Sequence, residues 1–346
     1  MEKGKMLLVS LGQGAGNIVD GLLSRNSRYN GLFLNSSLFD VKPLKNADMA
    51  KNVYVYPGTD GSGRDRNKSK EMIKDNINPI GTLLSKYPLT EVVVVFTTMA
   101  GGTGSGAIKT FIQIAKKVLP NAKVNVVAIL PSLKEDELAF KNTIECWNDI
   151  NSIMDLINDV KFVDNNKRNT YKEINNEVIE SLDLSYNIIG IHADGSIDNK
   201  DSFRINTAEG SGLVLKLYDG LKDAKTAVDL AIQNSVFVQP DTYDCDYLGI
   251  NLKIDGYDPY EVSKLFEVYR STYITYNNKN NIIVLGGCET PTESIKLIKM
   301  ALEDKNKRKL TRNRKRSVII DLDTDSEENK EEIDGLSDLF EDNYAF

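Results

Sequence analysis

A mostly parallel α/β sheet entered through glycine loops, continued by a smaller α+β half, is the architecture this sequence predicts. Three observations lead there. Apolar runs rich in β-branched residues, VVVVF at 92–96 and VNVVAIL at 124–130 above all, alternate with amphipathic segments, as strands buried on both faces require. Glycine clusters stand where such a run gives way to a helical pattern, at 12–16 and 101–106. The chain has 346 residues, more than one core usually holds.

In order, MLLVSL at 6–11 predicts a buried strand, and a helix over 15–23 follows the first glycines. GLFLN at 31–35 and VYVY at 53–56 predict two more strands, and KEMIKDNINPIGTLL at 70–84 a helix bent at Pro79. The strand at 92–96 leads through the second glycine loop into a helix from Ser105 to Val118, then the strand at 124–130. A long helix is expected over 135–157, a short strand at 161–163 and a second long helix from Tyr171 to Ile189, followed by the polar stretch HADGSIDNKD. Beyond 206 the pattern predicts a helix over 210–232, strands at 235–239, 247–254 and 282–287, and helices over 259–272 and 292–305. From Lys305 a basic run, KNKRKLTRNRKR, precedes an acidic one; such blocks are expected to be solvated and disordered. The chain thus divides into residues 1–170, a central helix and loop at 171–205, an α+β half at 206–304 and a charged tail at 305–346.

Composition excludes several functions. With 41% hydrophobic and 27% charged residues and no apolar run near the 18 or so residues of a membrane span, the chain reads as cytoplasmic with no membrane role. Its opening residues lack the features of a secretory signal. Cys146, Cys245 and Cys288 are too few and too far apart for a disulfide framework or a CxxC zinc site. One histidine, His192, rules against Ser-His-Asp catalysis and multi-histidine metal sites, and is expected to be structural. A net charge of -7 argues against a body that binds nucleic acid non-specifically.

The glycine loops carry the chemistry. Gly12, Gly14 and Gly16, between a strand and a helix, let backbone amides approach a phosphate at a helix N-terminus. Dinucleotide-binding domains open in the same way, but Asn17 stands where GxGxxG has its third glycine. The stronger element is TTMAGGTGSGA at 97–107: Gly101, Gly102, Gly104 and Gly106, with Thr103 and Ser105, make a turn of amides and hydroxyls suited to one anion. The lysine of a Walker A loop is missing.

At these residues the sequence resembles the tubulin/FtsZ family, whose GGGTGSG loop grips nucleotide phosphates; Ala100 stands here for the first glycine. The resemblance runs from residue 6 to about 300 and implies the family fold and a site for GTP or GDP. It implies that Gly12, Gln13, Gly14, Gly16 and Asn17 form the first nucleotide loop and that Asn35 and Ser36 form the second. Gly61, Ser62, Gly63, Arg64 and Asp65 match a third loop at the γ-phosphate. Pro131 and Glu135 match the loop that meets the ribose, although the arginine found further along in FtsZ is absent. VDN at 163–165, with Tyr171 and Asn175 on one helical face, resembles tubulin's base site: Tyr171 stacks on guanine while Asn165 and Asn175 hydrogen-bond its edge.

Asp198 and Asp201 in GSIDNKD match the family's pair of catalytic acids, which act on the nucleotide of the neighbouring subunit; Ser196 replaces an asparagine there. In isolation the same string reads as an Asx-rich turn. The resemblance therefore implies a GTPase that uses Mg²⁺, with no protein ligand to the ion assigned, and that polymerises with itself head to tail. The C-terminus lacks FtsZ's D-I-P-x-F-L-R peptide and looks more like the plasmid- and phage-encoded TubZ group, which implies DNA segregation through a TubR-like DNA-binding adaptor engaged by the basic tail. A PhuZ-like phage filament clamped by the acidic block at 321–342, and an FtsZ-like cytoskeletal GTPase, are the alternatives within the family. Outside it stand an NAD-dependent oxidoreductase and a non-enzymatic nucleic-acid adaptor.

Overall fold

β-Branched runs become the middle of a ten-stranded sheet. The computed structural model describes the backbone of residues 1–316 and side chains as far as residue 310. The first half comprises β1 (Met6–Leu11), α1 (Gln13–Arg25), β2 (Asn30–Asn35), α2 (Leu38–Val41), β3 (Val53–Val55), α3 (Arg66–Asp75), α4 (Ile77–Leu84) and β4 (Val92–Thr98). α5 (Thr103–Val118), β5 (Lys123–Leu130), α6 (Glu137–Asn151) and β6 (Asp159–Asp164) complete it. These six strands run parallel in the order β6-β5-β4-β1-β2-β3. Both faces of the sheet are covered, so alternate residues of β1 enter different cores. Met6 and Leu8 face α1, while Leu7, Val9 and Leu11 pack toward α3, α4 and α5. Each fully buried side chain of this size contributes about 1.5–3 kcal/mol.

α7 (Tyr171–Tyr186) leads to a hairpin of β7 (Gly190–His192) and β8 (Gly195–Ile197), then α8 (Asn199–Asn206). The second half adds β9 (Gly210–Lys216), α9 (Ala224–Asn234), β10 (Cys245–Lys253), α10 (Pro259–Ser263), β11 (Val268–Asn277), β12 (Ile282–Cys288) and α11 (Thr292–Arg316). Its strands extend the same sheet as β11-β10-β12-β9. The seam is narrow, with only Asp159–Gly210 and Val160–Ser211 paired in register between β6 and β9. Buried beside it, Lys161 Nζ pairs with Asp159 Oδ2 at 2.6 Å, the two side chains 1% and 2% exposed. A Cβ on Gly212 would collide with both side chains. The chain divides into two units, Met1–Asp304 and Lys305–Phe346. No helix among the described residues is long and apolar enough to cross a membrane.

Several expected elements differ. Residues 210–232 are not one helix: GSGLVLK is strand β9, and the helix starts only at Ala224, capped by Asp223. The glycines at 210 and 212 and the following alternation favour an extended chain. The expected helix over 259–272 is one turn, capped by Asp258 with Pro259 at its start, and VYRSTYITYN becomes β11 because its β-branched and aromatic residues pair with β10. Residues 235–239 make no strand and contribute one bridge, Val163–Phe237. The helix break in 70–84 falls at Asn76 rather than Pro79, which sits in the first turn of α4, where a missing N–H leaves no helical bond unmade. The helix expected over 135–157 ends at Asn151, and a short 3₁₀ turn, Met154–Leu156, follows.

The basic run is not disordered through residue 316: α11 continues to Arg316. The acidic block at 321–342 lies outside the described residues.

Candidate functional site

The carboxyl ends of the parallel strands open onto a cavity of about 660 Å³. Helices α1 and α5 begin at its wall, so their unpaired amides and positive dipole ends face it. Gly12, Gln13, Gly14 and Asn17 line it from α1, and Ala100, Gly101, Gly102, Thr103 and Gly104 from the loop into α5. Gly12 has φ +85° and donates its N–H to the Leu34 carbonyl at 2.9 Å, a turn that favours glycine. A side chain on Gly104 would collide with the Leu11 carbonyl, so the two loops meet backbone to backbone. Three hydroxyls from three loops join beneath them, with Thr103 Oγ1 2.7 Å from Ser36 Oγ and 3.1 Å from Ser62 Oγ.

Four expected contact residues stand behind this surface instead of on it. Buried Ser105 donates its hydroxyl to the Gly101 carbonyl and so holds the loop closed. Asn35 accepts from the amides of Ser36 at 2.7 Å and Ser37 at 3.2 Å, shaping the second loop. Gly106 lets α5 pass close to the Arg66 carbonyl, and Gly16 abuts Leu44.

The other end of the cavity is built by α7. Thr170 caps this helix in a reciprocal box with Glu173, which fixes Tyr171 at the first helical position. Its ring is 55% exposed at the cavity mouth. The phenol donates to Glu135 Oε1 at 3.3 Å, and Glu135 in turn accepts from the Ser132 amide at 3.0 Å. Burial first, then the Glu135 charge, raises the Tyr171 phenol above its ordinary pKa. Asn165 and Asn175 line the same end. Asn166, which sequence reasoning did not single out, ties the two loops together by accepting from the Leu133 amide at 2.8 Å and donating to Asp164 at 2.7 Å.

Gly61, Ser62, Gly63 and Arg64 form the remaining wall, and α6 grips them. Asn142 Nδ2 donates to the carbonyls of Arg64 at 3.0 Å and Ala100 at 3.1 Å, joining this loop to the glycine loop. Arg66, 2% exposed, donates to the Asn142 carbonyl at 3.0 Å and pairs with Asp149 and Glu145. The Arg64 guanidinium makes two bonds to Asp136, at 2.6 and 3.0 Å. Asp136 also caps α6 by accepting from the Ala139 amide at 2.9 Å. Asp40, another lining residue not anticipated, has its carboxyl pKa raised by burial and by nearby Asp60, against the opposing bond from Asn35. Asp136 carried a legible sign, an acid one residue before a helix; Asp40 and Asn142 carried none.

Asp198 and Asp201 are elsewhere. α7 runs sixteen residues away from Tyr171, roughly 24 Å at 1.5 Å per residue, before the β7–β8 hairpin and α8 follow. Neither acid lines the cavity. They form a capping box on α8: Asp198 Oδ1 accepts from the amides of Lys200 at 2.7 Å and Asp201 at 2.9 Å, while Asp201 Oδ2 accepts from the Asp198 amide at 3.1 Å. The Asp201 amide, more than any other donor, holds the Asp198 carboxyl below its usual range. This helix was missed although the D-x-x-D spacing is itself a capping signature. His192 packs its ring on Tyr276 at 4.7 Å and accepts from the Asp194 amide at 3.2 Å, a structural arrangement.

Comparison with known proteins gives a consistent result. The profile of the Tubulin/FtsZ family, GTPase domain, matches residues 5–170. The tubulin-like protein TubZ of Clostridium botulinum C phage is 32% identical over 336 residues, which is 96% of this chain and 92% of that protein. Among solved structures, tail-truncated TubZ of C. botulinum phage c-st superposes with a TM-score of 0.82 at 31% identity, covering 89% of this chain and all of that one. A GTPγS-form protofilament of TubZ from Bacillus thuringiensis serovar israelensis gives a TM-score of 0.75 at 14% identity, over 90% and 94% of the two chains, a likeness of fold.

Proposed function

The chain belongs to the tubulin/FtsZ family, and we propose that it is a GTPase that hydrolyses GTP as copies join head to tail into filaments, and that these filaments move plasmid or phage DNA. One observation carries the shared active site. The acids at the far end of α7 do not line their own chain's cavity, so they meet a nucleotide only in a second copy. Such a contact joins two different faces and therefore propagates unless it closes into a ring.

On this reading the glycine loops hold the phosphates, Tyr171 stacks on the base, and Asn165 with Asn175 reads its edge. Asp198 and Asp201 of the adjoining subunit order the attacking water. Because its carboxyl stays ionised and is a weak base, Asp198 contributes by orientation and charge more than by taking a proton. The donors also fit Mg²⁺. Asp40, whose raised pKa a cation would relieve, lines the same cavity as Ser36 and Thr103, and its carboxylate with their hydroxyls would hold the ion. When bound, the ion would neutralise charge on the phosphate oxygens. Residues 1–170 are then the nucleotide-binding part, 171–205 the central helix and the catalytic loop that completes the partner's site, 206–304 the α+β activation domain, and 305–346 the tail that engages a TubR-like adaptor on DNA. The TubZ relatives and the basic run from Lys305 favour this over the PhuZ-like and oxidoreductase readings.

Phosphate release measured against protein concentration tests the proposal. The rate per subunit should rise steeply where sedimentable polymer appears, with GTP but not ATP or NAD competing for the site; a rate per subunit independent of concentration overturns it. For the tail, truncation after Asp304 keeps Ile298, Ala301 and Leu302, which pack on the core. The shortened protein should still assemble with GTP and should no longer co-sediment with adaptor-bound DNA.

A further inference from the structure

On the proposed function the acids of α8 are brought up to a nucleotide that is itself strongly anionic, and like charges at close range repel. The cavity offers little to offset them. Among the described lining residues its acids are Asp40 and Glu135, and its one cation, Arg64, is bonded twice to Asp136. A compensating cation stands on α8 itself. Arg204 lies one turn beyond Asp201 on the same helical face. Its Nη1 donates to Asp201 Oδ1 at 3.3 Å and to the Tyr273 hydroxyl at 3.4 Å. Tyr273, on β11, is in turn stacked on Tyr247 with ring centroids 6.3 Å apart, so the guanidinium is steered from two elements. Its other edge, Nε and Nη2, makes no hydrogen bond among the described residues, and the side chain is 54% exposed. A free guanidinium edge of this kind forks onto an oxyanion. Arg270, on the neighbouring strand, is committed instead: its Nε pairs with Asp246 at 3.0 Å and its guanidinium lies over the Tyr247 ring.

We propose that Arg204 is a catalytic residue delivered to the neighbouring subunit together with Asp198 and Asp201: when the acid-bearing face of one copy covers the nucleotide of the next, the open Nε–Nη2 edge forks onto the oxygens of the terminal phosphate. The inference rests on the proposed function and adds a cation to it. In the step it serves, the water oxygen bonds to the γ-phosphorus as the bond to the β–γ bridging oxygen breaks. GDP leaves with that electron pair, one water hydrogen stays on the phosphate and the other goes to solvent, and Arg204 stays protonated throughout. Its contribution is electrostatic, offsetting charge on the phosphate oxygens and on Asp201. The approach is accessible because the contact with Asp201 is a long ion pair on a largely exposed arginine, which holds the guanidinium only weakly. Nor need the arginine leave the acid to engage the phosphate, since Nη1 alone serves Asp201. A flat fork that touches carboxylate and phosphate at once also suits this place better than the ammonium of Lys200, the other cation of α8.

The test is phosphate release per assembled subunit, with polymer measured by sedimentation, for the full-length chain and for Arg204→Ala, Arg204→Gln, Arg204→Lys, Lys200→Ala and Arg270→Ala. Arg204→Ala should lower the rate about 10²- to 10³-fold, while the melting temperature and the affinity of unassembled protein for GTPγS hold. Arg204→Gln separates chemistry from bracing. It keeps a donor for Asp201 without the charge, so it should be as slow as Arg204→Ala, whereas an arginine that only held Asp201 in place would be replaced by it. Arg204→Lys restores the charge without the fork and should recover part of the rate. Lys200→Ala and Arg270→Ala should turn over normally. Should Arg204→Ala form no polymer, Arg204→Gln repeats the measurement. The inference is overturned if Arg204→Ala polymer releases phosphate at the normal rate, if Arg204→Gln restores that rate, or if Lys200→Ala costs more than Arg204→Ala. Unaltered protein whose rate per subunit does not rise on assembly sinks the proposed function as well, a result distinct from a normal rise that Arg204→Ala leaves intact.

Discussion

The cavity at the carboxyl ends of the strands and the hairpin beyond α7 are built on opposite principles. The cavity is assembled mostly from main chain. Its amides come from α1 and α5, its hydroxyls from Ser36, Ser62 and Thr103 bond one another, and at Gly104 a single added methyl would strike the Leu11 carbonyl. The hairpin has two strands of three residues, its Ile191 is 94% exposed, and its following acids are satisfied by each other's amides. One region is concave and walled largely by main chain; the other is small, exposed and rich in acids. On the proposed function, this separation of binding from hydrolysis between two faces would tie turnover to assembly.

Breaking the comparison on the hairpin side should have the largest effect. Asp198→Asn and Asp201→Asn preserve capping oxygens but remove the charges, and phosphate release from assembled protein should fall about 10³-fold or more. GTP affinity of the monomer should not change. A variant that assembles and turns over normally would remove that acid from the mechanism. On the cavity side, Gly104→Ala should destabilise the fold by about 1–3 kcal/mol through overpacking, seen as a lower melting temperature, and should weaken nucleotide binding where the acid variants do not. Unaltered binding in Gly104→Ala would show that the cradle is more yielding than its close packing implies.

Tyr171→Ala sharpens the contrast within the cavity itself. Its ring is largely exposed, so the melting temperature should hold while GTP affinity drops by about 1–3 kcal/mol, the contribution of one base stack. Asn175→Ala should instead relax discrimination against ATP, measured by competition. The smallest effect concerns pH. The folded-state pKa of Asp198 is depressed, so its charge and its stabilising bonds are present above the unfolded-state value and are lost only as pH falls through the lower folded one. Between pH 5 and 8 turnover per unit polymer should show no acidic limb from this residue; a limb centred near pH 6 would mean that Asp198 is not the group in use.

The first half of the fold was legible because buried parallel strands write continuous apolar runs. The second half was misread where strands carry polar residues. VYRSTYITYN lies on the outermost strand beside β10, half exposed, and its alternation competes with a helical period. Glycine loops were legible because a backbone phosphate cradle requires glycine at fixed spacing. Asp40 and Asn142 were not, because Asp40 reaches the cavity, and Asn142 the loops that wall it, through packing that no local spacing records; Asp136 was legible only as a helix cap.

The sequence by itself determined the parallel sheet, the order of the glycine loops and the residue types that meet at each end of the cavity. These depend on local spacing, which a single chain records directly. Only the tertiary structure decided that Ser105 and Asn35 brace the loops from behind, that Lys161 pairs with Asp159 at the seam between the halves, and that Asp198 and Asp201 lie a full helix away from the cavity in their own chain. Such placements follow from the length and direction of α7 and from which side of each loop or strand the packing of the layers turns inward, which spacing along the chain does not record.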